Sequence, residues 1–379
     1  MSLPAATALN GFLITAVSMC DVYRPTATHL QPVIVPAALA IAEREDASGR
    51  DLLTALAAGL ETTTRIGAGL DYAAFRERGW HGPGTTGPFG AAAAAGRLLG
   101  LDVDRMARAF GLAGSQAAGT FAAWGTASVK FHQFRGALSG LFATLLAAED
   151  FTATREFLTT PDGGFYSTYS GKPARDAAGA RLGEHWELEQ IALRPWPTSA
   201  ASQGVVSALF ELIERHGPRP EEVKGMRVIL SEPVHASYAK RRMYRGKWEA
   251  SASIHYTAAI VLHDRELWMD QFEPARYEDA AVRELAQERV ELKADATLSG
   301  VQTIVEADMR DGRVLRARCD APLGSPENPM RQAQIEAKFR RAARGRLSVA
   351  AQDQVIEAVM NLEALRSTRG LMNLVKAAK

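Results

Sequence analysis

The chain has 379 residues and a formal net charge of +1, from 44 Lys and Arg against 43 Asp and Glu. A chain of this length suits two domains with a hydrophobic core of ordinary size. The balanced charge provides no global field for nucleic acid or for an anionic membrane. The sequence therefore predicts neither of these partners and indicates a small ligand bound by local groups.

The cysteines and the apolar segments indicate no metal centre and no membrane span. Cys20 and Cys319 lie almost at opposite ends of the chain and fit no metal-ligand spacing, which favours reduced thiols. Residues 11–20 are apolar but follow no basic region, so we predict a buried helix and not a signal peptide. No stretch reaches the roughly 18 to 20 apolar residues of a membrane span, and we expect a cytoplasmic protein.

Residues 1 to about 195 have the pattern of successive helices. Pro36 suits the first turn of a helix over residues 36–44, and Ser48 can cap a helix over residues 52–70. Small residues are frequent between positions 91 and 119. Because small residues let helix axes approach each other, we predict a compact helical bundle here.

The pattern changes at residues 194–197, Arg-Pro-Trp-Pro, because proline on both sides of a tryptophan excludes regular structure. A helix is predicted over residues 202–216. Short β-branched segments separated by turns then predict four strands, at residues 223–230, 290–294, 302–309 and 314–318, with a helix over 251–263 between the first two. This pattern predicts an α+β domain with an antiparallel sheet. Helices return from residue 328 onward and are expected to rejoin the first domain.

Residues 79–90, Gly-Trp-His-Gly-Pro-Gly-Thr-Thr-Gly-Pro-Phe-Gly, have the composition of a ligand site. A turn rich in glycine and proline holds His81, Thr85 and Thr86, and it opens onto an alanine-rich helix. Such a turn lets backbone approach a ligand, and a helix N-terminus offers free N–H groups to an anion. The alternative is an irregular connection in which His81 is hydrogen-bonded in the core.

A second candidate lies in residues 128–136, Ser-Val-Lys-Phe-His-Gln-Phe-Arg-Gly. Lys130, His132 and Arg135 place three cations or potential cations within six positions. Groups of this type can bind a carboxylate ligand. An ordinary solvated helix face is the alternative for the same residues.

Several segments, in this order along the chain, resemble the MmgE/PrpD family. Residues 79–102 are similar to the family's Gly-Phe/Trp-His, its glycine–threonine loop and its alanine helix, and residues 109–119 to the helix that follows. Lys130 lies in a segment that resembles the family's lysine segment. Residues 194–197 and 324–339 resemble its crossover and its return into the helical domain.

The resemblance implies a mainly α fold with two domains. The expected domains are an all-helical bundle, residues 1–195 plus 325–379, and an inserted smaller α+β lid domain, residues 196–324. The resemblance also implies a homodimer, a site between the helical domain and the lid, and no cofactor.

Position by position, the resemblance places His81, His29 and Lys130 on the family's catalytic positions. The residues predicted to bind substrate are Arg194, Thr85, Thr86, Asp21, Tyr23, Arg135 and Tyr256. Asp21 and Tyr23 lie near the family's aspartate-rich segment, and Tyr256 lies on a predicted lid helix. The histidines assigned to surface or core positions are His132, His185, His216, His235 and His263.

The family's reactions share the formation or quenching of a carbanion beside a carboxylate, which needs a base and fixed positive charge. We expect a cofactor-independent, dehydratase-like lyase for a small di- or tricarboxylic acid. His81 or His29 would move the α-proton, and Lys130 and Arg194 would bind carboxylates. Within the family, an epimerase, isomerase or decarboxylase is the alternative. Because residues 21–23 replace the family's Asp-Asp-Thr cluster with Asp-Val-Tyr, a catalytically silent carboxylate binder or oligomer subunit is another.

Overall fold

The computed structural model describes residues 1–375 and is mainly helical. Residues 376–379, which belong to the predicted helical domain, lie outside the described residues. Within residues 1–375, no helix combines the length and the apolar character needed to cross a bilayer. The elements of the N-terminal part are α1 (Leu3–Ala16), β1 (Val22–Tyr23), α2 (Gln31–Glu45), α3 (Gly49–Ala68), α4 (Tyr72–Glu77), α5 (Gly82–Thr85), α6 (Gly87–Leu98), α7 (Val103–Gly114), α8 (Ser128–Ala148), α9 (Phe165–Tyr169) and β2 (Ile191–Ala192).

Helix α6 lies at the centre of the bundle. Its residues from Gly87 to Gly96 are all buried. Gly90 contacts α3 so closely that a Cβ there would overlap Thr63 Oγ1 and the Gly59 carbonyl oxygen. A Cβ on Gly59 would in turn lie 2.6 Å from the Gly90 carbonyl oxygen. Small residues therefore set the distance between α3 and α6, as the composition of this segment predicted.

The second part of the chain combines helices with a four-stranded sheet. Its elements are α10 (Ser202–His216), β3 (Val223–Leu230), α11 (Glu232–Tyr238), α12 (Lys247–Ser251), α13 (Ile254–Asp264), α14 (Pro274–Tyr277), α15 (Ala280–Glu284), β4 (Val290–Ala294), β5 (Thr303–Met309) and β6 (Val314–Cys319). The strand order is β4-β3-β5-β6. A hydrophobic core formed by residues of 201–319 lies between the sheet and helices such as α10 and α13.

The strand bounds agree with the prediction to within one residue, but the prediction of a fully antiparallel sheet is wrong. Strand β5 pairs antiparallel with β3 and with β6, whereas β3 and β4 are parallel, with Met226 opposite Val290. The helices α11 to α15 connect β3 to β4 and form the long crossover that a parallel pair requires.

The C-terminal helices α16 (Gln332–Ala343), α17 (Val349–Met360) and α18 (Thr368–Leu374) follow the sheet. The segment before α18 contacts the bundle, where Gly49 N donates to the Leu365 carbonyl oxygen at 2.8 Å. Thr368 Oγ1 donates to the Ala42 carbonyl oxygen at 2.9 Å. The chain therefore returns to the N-terminal bundle after the sheet. The division into domains stays a prediction.

Helix α2 is longer than predicted, because it begins at Gln31 and holds Pro36 in its interior. Its first N–H groups are satisfied from a distance, since Asp21 Oδ1 accepts hydrogen bonds from Leu30 N and Gln31 N at 3.0 Å each. A cap that lies nine and ten positions upstream leaves no local sequence signal.

Two other local predictions differ from the structure. The helix expected over residues 11–20 ends at Ala16, and only one side of it is buried, since Phe12 and Leu13 are exposed. The turn expected over residues 79–90 is largely helical, because α5 and α6 occupy most of it. Proline in the first turn of each of these helices suits the position, since it lacks only an N–H that has no partner there.

The contact between α3 and α6 makes Gly90→Ala a test of the packing. We expect this substitution to lower the free energy of unfolding by about 1 to 3 kcal/mol, because the methyl group overlaps Thr63 and Gly59. Gly370→Ala in α18 is the control, since a Cβ there meets no atom within 4 Å. Equal stability of the two variants in chemical denaturation would contradict the packing account.

Candidate functional site

A cavity of about 140 Å³ lies between the helical bundle and the sheet-bearing part. The bundle contributes Ser18, His29, His81, Phe121, Trp124, Lys130 and Gln133 to its lining. The crossover contributes Arg194, and the sheet-bearing part contributes Ser199, Tyr238, Trp248 and Ser251. The structure thus brings four of the predicted site residues, His29, His81, Lys130 and Arg194, to one cavity. Within residues 1–375, no cluster of His, Cys, Asp and Glu has the arrangement of a metal site.

His81 is held at the start of α5 by its backbone and by its ring. Its N–H donates to the Gly119 carbonyl oxygen at 3.0 Å. Its Nδ1 lies 3.1 Å from His132 Nδ1, and its ring packs edge-on against Phe121 with a centroid distance of 5.0 Å. Burial, followed by repulsion from a charged His132, lowers the pKa of His81 well below its usual value. The imidazole is therefore neutral at pH 7 and can accept a proton.

His29 has a tautomer that the backbone fixes. Its Nδ1 lies 2.6 Å from the Asp21 carbonyl oxygen. Because a carbonyl oxygen can only accept, Nδ1 carries the hydrogen and Nε2 of the neutral ring keeps its lone pair. Burial, and then the nearby Arg194 charge, lowers the pKa of His29 to about 3. His29 is thus a neutral ring whose Nε2 can accept a hydrogen bond or a proton.

Lys130 projects from α8 into the cavity and is largely buried. Its Nζ donates to Ser18 Oγ at 2.8 Å and lies 5.7 Å from the centroid of the Trp248 ring. Burial is the main cause that lowers the pKa of Lys130 to about 8. At pH 7 the ammonium is mostly charged, and two of its three N–H groups are available to a ligand.

Arg194 is buried in the crossover segment and anchored on both sides. Its Nε donates to the Cys20 carbonyl oxygen at 2.7 Å, and its Nη1 donates to the Thr198 carbonyl oxygen at 3.0 Å. Its Nη2 lies 2.8 Å from Cys20 Sγ. These contacts use three of the five N–H groups of a guanidinium. The side chain is therefore a fixed cation at the cavity wall.

Asp21 and Tyr23, both predicted to bind substrate, are buried beside the cavity and do not line it. Asp21 Oδ2 has no hydrogen-bond partner within residues 1–375, and burial raises the pKa of this carboxyl to about 7. The Tyr23 hydroxyl donates to Glu187 Oε2 at 2.6 Å. Asp21 instead has a structural role. Its carboxylate caps α2, and its carbonyl oxygen accepts a hydrogen bond from the His29 ring.

Four further predicted substrate contacts, Thr85, Thr86, Arg135 and Tyr256, are not brought to the cavity. The Thr85 and Thr86 hydroxyls donate to carbonyl oxygens of the preceding turn, at 3.1 and 3.0 Å. Arg135 donates to Ser139 Oγ and Gln116 Oε1, and Tyr256 donates to the Gln271 carbonyl oxygen. Each polar group is therefore used within the protein.

Sequence reasoning missed the aromatic wall of the cavity. Trp124 and Tyr238 meet edge to face across the two parts, with a centroid distance of 4.9 Å. The Arg241 guanidinium lies 3.7 Å from the centroid of the Trp124 ring. Trp248 completes the wall beside Lys130. The only sequence signal was the presence of these rings next to polar stretches, which is equally typical of core positions.

Two family models match this chain: the MmgE/PrpD N-terminal domain over residues 1–177 and the MmgE/PrpD C-terminal domain over residues 196–364. The chain belongs to the MmgE/PrpD family. The resemblance drawn from the segments at 79–102, 194–197 and 324–339 is thereby confirmed, and it extends over most of the chain.

Curated relatives of this MmgE/PrpD protein include three named for cis-aconitate decarboxylase. The cis-aconitate decarboxylase-like protein oryM of Aspergillus oryzae is 28% identical over 98% of this chain and 82% of its own length. Cis-aconitate decarboxylase of Homo sapiens is 28% identical over 98% of this chain and 79% of its own length. Cis-aconitate decarboxylase of Aspergillus terreus is 25% identical over 98% of this chain and 81% of its own length.

Lys338 of α16 fixes the backbone beside two cavity residues. Its Nζ donates to the Met19 carbonyl oxygen at 2.9 Å and to the Arg194 carbonyl oxygen at 2.8 Å. Burial lowers the pKa of Lys338 to about 8, so the side chain carries its charge at pH 7. The C-terminal helices thereby tie the crossover to the segment before β1.

Replacing Lys338 by Met should destabilise the protein. Two carbonyl oxygens lose a charged donor, and we expect the free energy of unfolding at pH 7 to fall by about 1 to 3 kcal/mol. Lys224→Met is the matched control, since Lys224 is an exposed residue of β3. Chemical denaturation compares the two, and an unfolding free energy that is the same for both variants would show that these bonds do not fix the segment.

Proposed function

We propose that this protein is a cofactor-independent lyase that acts on a small di- or tricarboxylic acid by proton transfer at the carbon beside a carboxylate. The observation that supports the proposal is one cavity with two neutral histidines and two cations, His29, His81, Lys130 and Arg194. None of the described residues that line it is acidic. Such a lining attracts anions and offers bases to them.

The cations would bind the carboxylates. Lys130 donates one of its three N–H groups to Ser18, which leaves two for a ligand. Arg194 uses three of its five N–H groups within the protein, which also leaves two for a ligand. Both cations are buried, so a ligand carboxylate meets them with little competing water. Positive charge held in place also stabilises the enolate-like oxygens that form when an α-proton leaves.

A histidine would move the proton. The C–H bond beside the carboxylate breaks, the proton goes to Nε2 of His29 or His81, and the electron pair enters the bound carboxylate. In a dehydration the electron pair then forms the double bond, and the β-hydroxyl leaves as water with the proton that the histidine took up. In an epimerisation a proton returns to the opposite face of the same carbon. In a decarboxylation the C–C bond to the departing carbon dioxide breaks instead, and the Lys130 ammonium, which is charged at pH 7, protonates the carbanion.

The family resemblance led us to expect a dehydratase-like reaction, whereas the names of the relatives favour decarboxylation of an unsaturated tricarboxylate such as cis-aconitate. We propose the shared carbanion step as the common core of these reactions. We further propose that residues 196–324 act as a lid and that the protein is a homodimer. The lid is supported by Ser199, Tyr238 and Trp248, which line the cavity from this part.

The experiment is a screen of cis-aconitate and of saturated and hydroxylated tricarboxylates. Released carbon dioxide, formation of a double bond and change of configuration are measured separately. Turnover of one of these acids supports the lyase. Thermal stabilisation by such an acid without turnover of any would overturn the lyase in favour of a carboxylate-binding relative.

Replacement of His81 by Gln should lower kcat at least about 100-fold, because the amide cannot accept the proton. The fold should be retained, as measured by the melting temperature. His216→Asn, at the exposed end of α10, is the control and should keep the wild-type kcat. An unchanged kcat for the His81 variant would remove this residue from the mechanism.

Lys130→Ala should raise KM about 10- to 100-fold for a carboxylate substrate, because a charged hydrogen bond is lost. In the wild-type protein the pKa of Lys130 is about 8. The ammonium is present below that pH and is lost above it, so KM should rise as the pH increases through 8.

Lys130→Arg is the companion variant for this pH dependence. A guanidinium stays charged at these pH values, so the rise of KM should move to higher pH. Steady-state kinetics between pH 6 and pH 10 measure both effects. An equal rise of KM for the wild type and the Arg variant would exclude Lys130 as the titrating group.

A further inference from the structure

A second imidazole lies directly behind His81. His132, on α8, places its Nδ1 3.1 Å from His81 Nδ1, and the ring planes form an angle of 54°. His132 is half-buried and does not line the cavity. His81 itself lines the cavity, and its Nδ1 is the ring nitrogen turned toward His132. The pair therefore has one ring at the cavity and one ring behind it.

Two glycines make room for this pair. A Cβ at Gly119, where φ is +124°, would lie 3.0 Å from His132 Cγ and Nδ1. A Cβ at Gly84 would overlap the Ala118 carbonyl oxygen and would lie 3.4 Å from His132 Cβ. Gly119 also accepts the hydrogen bond from His81 N. The backbone is thus shaped for close contact of the two rings.

The hydrogen bond between the rings determines which nitrogen of His81 is basic. Two neutral rings joined through Nδ1 atoms have one hydrogen in that contact, and the other Nδ1 accepts it. If His81 donates, its Nε2 has a lone pair and is a base. If His132 donates, His81 Nε2 carries a hydrogen and cannot accept a proton.

The charges around His81 favour the first arrangement. The groups whose charge lowers the pKa of His81 are His132 and Lys130 from α8, His29 from the segment before α2, and Arg76 from α4. Of these, Lys130 and the neutral His29 share the cavity with His81, and the cation Arg194 lines the same cavity. Positive charge in the cavity favours a lone pair and not an N–H group on the ring atom that faces it.

We propose that His132 is a positioning residue that accepts a hydrogen bond from His81 Nδ1 and so keeps His81 Nε2 unprotonated as the base of the cavity. The role in turnover rests on the proposed lyase function. In His29 the Asp21 carbonyl oxygen accepts the hydrogen bond from Nδ1 and so leaves Nε2 unprotonated. The two histidines therefore have the same tautomer for different structural reasons, one set by a backbone oxygen and the other by a side chain.

The first test needs no substrate. In protein labelled with ¹⁵N at histidine, His81 Nδ1 should show a bonded proton and a coupling across the hydrogen bond to His132 Nδ1. Its Nε2 should resonate as an unprotonated nitrogen at pH 7. In His132→Leu the coupling disappears and His81 becomes a mixture of tautomers. A proton on His81 Nε2 in the wild-type protein would overturn the proposal, whatever the protein's activity.

The second test uses kinetics of three variants. His132→Leu should lower kcat about 100-fold with KM within about twofold, because the tautomer is no longer held. His132→Asn should recover most of this loss, since its amide oxygen can take the acceptor position. His132→Asp places a carboxylate against Nδ1–H and raises the pKa of His81, so the acid limb of kcat/KM should move to higher pH.

These outcomes separate positioning from a merely structural role. Equal losses in the Leu and Asn variants, or an acid limb that does not move in the Asp variant, would contradict the proposal. His216→Asn controls for histidine loss at the surface, and melting temperatures exclude misfolding. If no carboxylic acid is turned over, the proposed function fails while the ¹⁵N measurement still decides the tautomer.

Discussion

The site depends on four consecutive residues, 18–21, each of which holds a different group in place. Ser18 binds Lys130, the Met19 carbonyl binds Lys338, Cys20 binds Arg194, and Asp21 binds His29 and the first N–H groups of α2. This segment therefore joins α1, α2, α8, α16 and the crossover at one point. Movement of the segment would displace each of these contacts together.

The same arrangement produces a cavity with buried positive charge and no acidic lining among the described residues. Burial lowers the pKa of Lys130 and of His29, and Arg194 adds to both shifts. Charge buried in this way is costly until an anion pairs with it. A carboxylate ligand would supply that pairing, so the buried positive charge of the cavity favours the proposed class of ligand.

Local sequence rules predicted the elements and some of the site. The helix at residues 202–216 and the strand at 223–230 have the predicted bounds, because apolar spacing and turn residues specify them. Of the four residues found at the cavity, His81 and Lys130 were first singled out by their local sequence, whereas His29 and Arg194 were predicted through the family resemblance. The capping of α2 by Asp21 and the contact between His81 and His132 were not predicted. Asp21 lies nine and ten positions from the N–H groups that it caps, and the two histidines meet only through the packing of α5 against α8.

The chemistry proposed for this cavity is the formation of a carbanion beside a carboxylate. The most direct measurement is exchange of the α-hydrogen of small di- and tricarboxylic acids in deuterated water, followed by NMR in the presence of the wild-type protein. Deuterium should enter the carbon beside one carboxylate, and His81→Gln should abolish this exchange. Binding of the same acids with no exchange at any carbon would contradict the proposed chemistry.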